Sequence, residues 1–183
     1  MEIEILVKCD AQKFTLPGSY GYESEYIYEV TRTEMDKGIE FKFILQELSK
    51  PYKKIWNEDE ATMNRYKQMI EDGISISVST GNRIVGVLIA EKRDWNNSAY
   101  IEKLQIADEF KRNGIGSKLI NEFAHMTAKI GYRIIHLETQ NTNYPAIQFY
   151  KKNGFIITGM DMKLYDGEEN KDEVAIYMTR ELI

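Results

Sequence analysis

Phe110-Lys111-Arg112-Asn113-Gly114-Ile115-Gly116-Ser117-Lys118-Leu119 decides how the rest of this chain is read. A strand-like run, Tyr100 to Ala107, leads into it. An amphipathic pattern leads out of it: Ile115, Leu119, Phe123, Met126 and Ile130 recur at helical spacing until Gly131 stops the run. Two glycines two residues apart, at a strand-to-helix junction, let backbone N–H groups converge on one point. The helix N-terminus adds partial positive charge there. The expectation is an anion site suited to phosphate.

Working outward, Arg133 to Thr139 reads as a strand. Strand 99–107, helix 114–130 and strand 133–139 then predict a right-handed crossover between parallel strands. Upstream, Ile74 to Thr80 and Arg83 to Arg93 form a hairpin about Gly81-Asn82, and Asn96-Asn97-Ser98 turns into the next strand. Earlier still, Glu58, Asp59 and Glu60 open a helix that runs to about Asp72, with Gly73 as its stop. Tyr26 to Thr33 and Ile39 to Glu47 read as strands. The second places Ile39, Phe41, Phe43 and Leu45 on one face, with Pro51 at or just beyond its end. Downstream, Tyr144 to Lys152 is a short helix ended by Asn153-Gly154, and Phe155 to Thr158 and Glu173 to Arg180 are strands. Residues 1–25 read as an irregular N-terminal segment, with Pro17-Gly18-Ser19-Tyr20-Gly21 as a loop. Residues 26–183 read as one domain. The order predicts an α+β fold with a mixed, mostly antiparallel sheet and flanking helices.

Composition narrows the function. The chain has 183 residues, 24 basic and 29 acidic, for a net charge of −5. No basic face is evident, which argues against nucleic acid as a partner, and an acidic surface suits a cationic one. No apolar run approaches the roughly 20 residues that span a membrane. Met1-Glu2-Ile3-Glu4 carries acids where a secretion signal needs bases. A single cysteine, Cys9, excludes an internal disulfide framework and fits a reducing cytoplasm. His125 and His136 stand apart and read as packing or surface residues, so no metal site is expected. A P-loop needs Gly, four residues and then Gly-Lys-Ser/Thr, which is absent. A dinucleotide loop needs a third small residue where Leu119 stands.

Two motifs in order carry a resemblance. Lys111-Arg112-Asn113-Gly114-Ile115-Gly116 resembles the pyrophosphate loop of the GNAT superfamily of N-acetyltransferases, departing from it at Lys111. Asn143-Tyr144-Pro145-Ala146-Ile147-Gln148-Phe149-Tyr150-Lys151-Lys152-Asn153-Gly154-Phe155 resembles a second motif of that family. Within it, the chain is most similar to the streptothricin acetyltransferases, through Tyr100-Ile101-Glu102, Leu137-Glu138-Thr139-Gln140-Asn141, Met160-Asp161-Met162-Lys163-Leu164-Tyr165 and the run from Phe43 to Lys54. The chain departs from them at Ile39-Glu40-Phe41 and Ile176-Tyr177-Met178, where those enzymes carry tryptophan-containing stretches.

The resemblance implies a single GNAT-like domain in which the parallel strands splay apart. It implies acetyl-CoA as acyl donor, without a metal, and direct transfer of acetyl to a primary amine of a small cationic molecule. Backbone of Leu104, Gln105 and Ile106 would pair with pantetheine. Arg112, Asn113, Gly114, Ile115, Gly116 and Ser117 would bind the pyrophosphate. Asn143 would meet the pantetheine arm, a position where asparagine also suits a helix N-cap. Tyr150 would act as general acid. Glu102 is the candidate base; in a regular strand it shares a face with Tyr100 and Leu104, and a bulge would change that facing. Glu138, Asp161 and Tyr165 are candidates to bind the cationic acceptor. A peptide or protein acceptor, or an acetyl-CoA-binding module without turnover, are the rival readings. The final strand is a candidate to join a homodimer.

Overall fold

The alternation of hydrophobicity from Ile74 onward builds a meander. In the computed structural model, which describes residues 2–5, 14, 16–71, 73–81, 83–166, 170 and 173–182, β4 (Ile76–Thr80), β5 (Arg83–Arg93) and β6 (Ser98–Ile106) pair antiparallel in sequence. β1 (Glu2–Ile5) adds to the free side of β4, with Ile3 opposite Val78. β7 (Ile134–Gln140) lies parallel to β6, as the crossover predicts. With β8 (Ile156–Asp161) and β9 (Ala175–Glu181) the sheet order is β1-β4-β5-β6-β7-β9-β8. β2 (Gly21–Met35) and β3 (Gly38–Ile55) form a separate antiparallel ribbon.

The chain divides into two units. The first takes the described residues up to Tyr20, Trp56–Leu137 and those from Thr179 on; the second takes Gly21–Ile55 and Glu138–Met178. β7 and β9 run through both.

In the first unit β5 is buried on both faces from Val85 to Ala90. α1 (Glu60–Glu71) covers one face, its first turn capped by Asp59, whose Oδ1 accepts from the Thr62 N–H at 2.7 Å. Tyr66, Met69 and Ile70 pack there with Phe14, Leu16, Val87 and Ile89. α2 (Ile115–Lys129) covers the other face. At the contact, a Cβ at Gly86 would meet Ile106 Cδ1 of β6 at 2.8 Å and Ile115 Cγ2 of α2 at 3.1 Å, so a larger residue there would make these side chains shift. The buried stripe of α2 is Ile115, Leu119, Ile120, Phe123, Ala124 and Thr127; Ile130, expected on it, is exposed.

In the second unit the ribbon is longer than predicted. β3 runs through Pro51 because its register breaks there: Ser24 opposes Tyr52 and Tyr26 opposes Glu47, so residues 48–51 face Glu25 alone. A proline, lacking an N–H, fits such an irregularity. The expected one-faced burial of β3 does not occur. Ile39, Phe41, Ile44 and Leu45 are all exposed. α3 (Tyr144–Lys152) begins at Asn143, whose Oδ1 accepts from the Ala146 N–H at 3.2 Å, with Pro145 in the first turn.

The reading of 1–25 as irregular is corrected: Glu2–Ile5 is a strand, and Gly21–Ser24 already belong to β2. Short pairing segments at a sheet edge carry little hydrophobic pattern of their own, which is why this one is not visible locally. Among the described residues no helix is long and apolar enough to cross a membrane. Cys9, Asn82 and Asp72 lie outside the described residues.

Candidate active site

The geometry of the candidate site begins in β6. Its register with β5 slips between Ile89 and Ala90: Ile89 opposes Lys103 and Ala90 opposes Ile101. Glu102 is therefore the extra residue of a β-bulge. The parallel pairing with β7 ends at Ile101 opposite Leu137, although β6 continues to Ile106 and β7 to Gln140. Leu104, Gln105 and Ile106 stay paired to Leu88, Val87 and Gly86 on the β5 side. Their other backbone edge has no β7 partner among the described residues, so its N–H and C=O groups face away from the sheet ladder.

At the end of β6 the chain is held in place by side chains. Asp108 accepts from the Ser19 N–H and hydroxyl, each at 3.0 Å, and Gln105 Nε2 donates to the Ser19 carbonyl at 2.7 Å. Lys111 Nζ pairs with Asp108 at 2.6 Å. These contacts hold the Asp108 carboxyl below its ordinary range, through Lys111 first and Ser19 next. The loop then turns through two left-handed residues, Arg112 (φ 62°) and Gly114 (φ 77°). Gly114 is the N-cap of α2 and brings no side chain to it, so no side-chain cap satisfies the first turn. This leaves uncapped N–H groups at the positive end of a 15-residue helix, an arrangement that favours negative charge. Lys111, Arg112, Asn113 and Gly114 are exposed, and Gly116 and Ser117 partly so; Ile115 is buried as the first core residue of α2.

Glu102 is not free. Its Oε1 meets Arg65 Nη2 at 2.6 Å. Beside it, Lys103 pairs with Glu58, which also accepts from Trp56 Nε1 at 3.2 Å. Arg65 and Glu58 are partners that motif reading did not supply. Glu58 was legible only as an acid opening α1.

In the second unit Tyr150 packs edge-on against Phe149 and Phe155, with ring centroids at 5.2 Å and 5.6 Å. Burial, and then the negative charge of Glu138, push its phenol pKa up. No described residue hydrogen-bonds its hydroxyl. Glu138 accepts a hydrogen bond from the Tyr165 hydroxyl, and burial first and Glu138 second raise the Tyr165 pKa. The structure thus brings Glu138 and Tyr165 together.

Asp161 stands elsewhere. It accepts from the Lys163 N–H at 2.8 Å and lines a groove of about 640 Å³ with Arg32, Phe41, Phe43 and Met160, a groove that neither Glu138 nor Tyr165 lines. One further engaged carboxylate is absent from the sequence candidates. Glu173 is buried, accepts from the Tyr52 hydroxyl at 2.7 Å and pairs with Lys54. Its only local signal is an acid at the start of a predicted strand. Asn143 is the α3 cap in this structure, and its Oδ1 is engaged there.

His125 is exposed. His136 Nδ1 shares a hydrogen bond of 2.9 Å with the Thr179 hydroxyl. Among the described residues no group of three or more His, Cys, Asp or Glu is placed to hold a metal.

Comparison with known proteins adds three findings. The family model for the acetyltransferase (GNAT) family matches residues 41–155. Streptothricin acetyltransferase A of Bacillus subtilis (strain 168) is 28% identical over 132 residues, covering 72% of this chain and 75% of that protein; the streptothricin acetyltransferase of Streptomyces lavendulae is 31% identical over 104 residues, covering 57% of this chain and 55% of that one. Among solved structures, a Bacillus anthracis str. Ames protein assigned to the streptothricin acetyltransferases, in complex with acetyl coenzyme A, superposes with a TM-score of 0.76 at 27% identity over 98% of both chains.

Proposed function

The chain belongs to the acetyltransferase (GNAT) family, and on that premise we propose that it transfers acetyl from acetyl-CoA to a primary amine of a small cationic molecule of the streptothricin type. The observation that carries the reading is β6, which keeps its β5 partner through Ile106 but loses β7 after Ile101. That leaves a strand edge at Leu104, Gln105 and Ile106 to which an extended amide-bearing arm can add as a strand does.

The residues fit acetyl-CoA. The uncapped start of α2, with left-handed Arg112 and Gly114 ahead of it, suits a pyrophosphate through backbone N–H groups from Arg112 to Ser117. When bound, acetyl-CoA supplies an acyl group activated as a thioester. The protein's own part is to hold the amine, remove its proton and protonate the leaving sulfur. An amine of pKa about 10 is only about 0.1% neutral at pH 7, a penalty of roughly 4 kcal/mol. Glu102 holds the ammonium and takes its proton, directly or through water. Tyr150 delivers a proton to the thiolate sulfur. Its raised pKa keeps the phenol protonated at neutral pH, as a donor requires. Glu138 and Tyr165 attract further ammonium groups of the acceptor, and Asn143 adds a polar contact at the start of α3 beyond its capping role.

The test is CoA release from acetyl-CoA with streptothricin as acceptor, with acceptor-free and Cys9-thiol blanks subtracted. Saturable release supports the reading. Acetyl-CoA binding by calorimetry without release withdraws the streptothricin acceptor and leaves the donor.

A further inference from the structure

Beside β6, two carboxylates are each met by an internal cation, and the two pairs are built differently. In the Lys103–Glu58 pair the side chains are only 11% and 10% exposed. The Lys103 ammonium is also hemmed in by aromatic rings, 5.3 Å from the centroid of Tyr20 and 5.2 Å from that of Trp56. In the Arg65–Glu102 pair the carboxylate is 18% exposed but the arginine is 51% exposed. Arg65 reaches in from α1 along Tyr66, with its guanidinium 5.7 Å from that ring centroid. One cation is locked; the other has open water behind it.

We propose that Arg65 is a positioning residue whose guanidinium holds the Glu102 carboxylate until an acceptor ammonium arrives, and that acceptor binding exchanges one cation for the other. This rests on the reading of Glu102 as the carboxylate that faces the acceptor. The charged and titratable groups around it are Arg65 and Tyr66 on α1, Glu58 ahead of α1 and Lys103 on β6; the opposing β5 residues, Ile89 and Ala90, are apolar. Two acids and two cations are in balance. An ammonium added without exchange would set three cations against two carboxylates in a partly desolvated place. Moving Arg65 out restores the balance at small cost, because a half-exposed ion pair is weak and the guanidinium recovers its hydration. Glu102 is thereby held in one orientation before the acceptor binds, and the acceptor is selected for a charge able to displace a guanidinium.

The test compares Arg65→Gln, Arg65→Lys, Glu102→Gln and the Arg65→Gln/Glu102→Gln double variant, with streptothricin as the probe. Its binding is read by calorimetry and its turnover by CoA release. Arg65→Gln is expected to lower the dissociation constant and KM for streptothricin by about threefold to tenfold while kcat changes less than about twofold. Arg65→Lys, which keeps the charge, is expected to stay within about twofold of wild type. The tightening should vanish in the double variant, since it acts through Glu102. Arg65→Gln binding no more tightly than wild type overturns the proposal, whether or not wild type turns streptothricin over. So does an equal tightening with Glu102 already removed. Failure of the base assignment is a separate result: Glu102→Gln turning over at the wild-type rate, with the Arg65 effect on binding intact, removes Glu102 from proton transfer and leaves the exchange standing.

Discussion

The glycine loop before α2 and the carboxylates Glu102, Glu138 and Glu173 are built on opposite plans. The loop presents backbone: two left-handed residues, an uncapped helix start and exposed side chains. The carboxylates are side chains, and each is already engaged: Glu102 with Arg65, Glu138 with Tyr165, Glu173 with Lys54 and Tyr52. Backbone recognition depends on conformation and tolerates changes of side chain. Recognition by paired carboxylates depends on partners far off in sequence and changes with any of them.

That contrast can be broken by experiment. The largest effect is expected at Tyr150. Tyr150→Phe should slow acetyl transfer by about tenfold to a hundredfold with acetyl-CoA affinity unchanged; an unchanged rate removes the phenol from the chemistry. Next is Glu173→Gln. Neutralising a buried carboxylate leaves Lys54 unmatched and should cost about 2–3 kcal/mol of stability, read by urea unfolding. A loss confined to acceptor KM would make Glu173 a binding group instead of a strut.

On the donor side, Gly114→Val forces a branched residue to φ 77° and should weaken acetyl-CoA binding by about tenfold. Arg112→Ala should change it by less than about threefold if the backbone does the binding. A larger loss at Arg112 than at Gly114 would overturn the contrast. The smallest effect concerns His136. Burial first, then Arg93 and Arg133, hold its pKa below the usual 6.5. The unfolded chain takes up that proton at higher pH than the folded one. Stability is therefore fully present above about pH 6.5 and declines as pH falls through the lowered value. A melting series from pH 7.5 to 5.5 should show a small downward slope that His136→Gln reduces.

The same contrast explains what could be read from the sequence. Features set by neighbours along the chain were legible. Asn143, Pro145 and Gly154 bracket α3, and Gly114 marks the start of α2. The parallel pairing of β6 and β7 followed from the crossover between them. What depends on distant partners was not. β1 exists only because β4 offers an edge. β3 outruns Pro51 only because β2 lets the register slip there. Arg65 and Glu173 carry no signal of their own, since each acquires meaning from a partner that folding brings to it.

The bulge at Glu102 has a consequence best put as counting. Past it, Lys103 opposes Ile89 and Leu104 opposes Leu88, so every later side chain of β6 faces opposite to where an unbroken strand would aim it. Lys103 is thereby turned from the face of Ile101 toward that of Ile89, where Glu58 meets it. Replacing Glu102 changes one group. Deleting it would make Ile101 and Lys103 consecutive opposite Ala90 and Ile89, a regular register that keeps the facing of Leu104, Gln105 and Ile106 and loses the bulge. At this point in the chain, number matters as much as chemistry: the ninth residue of β6 is what sets Glu102 outside the ladder, and eight would make the strand regular.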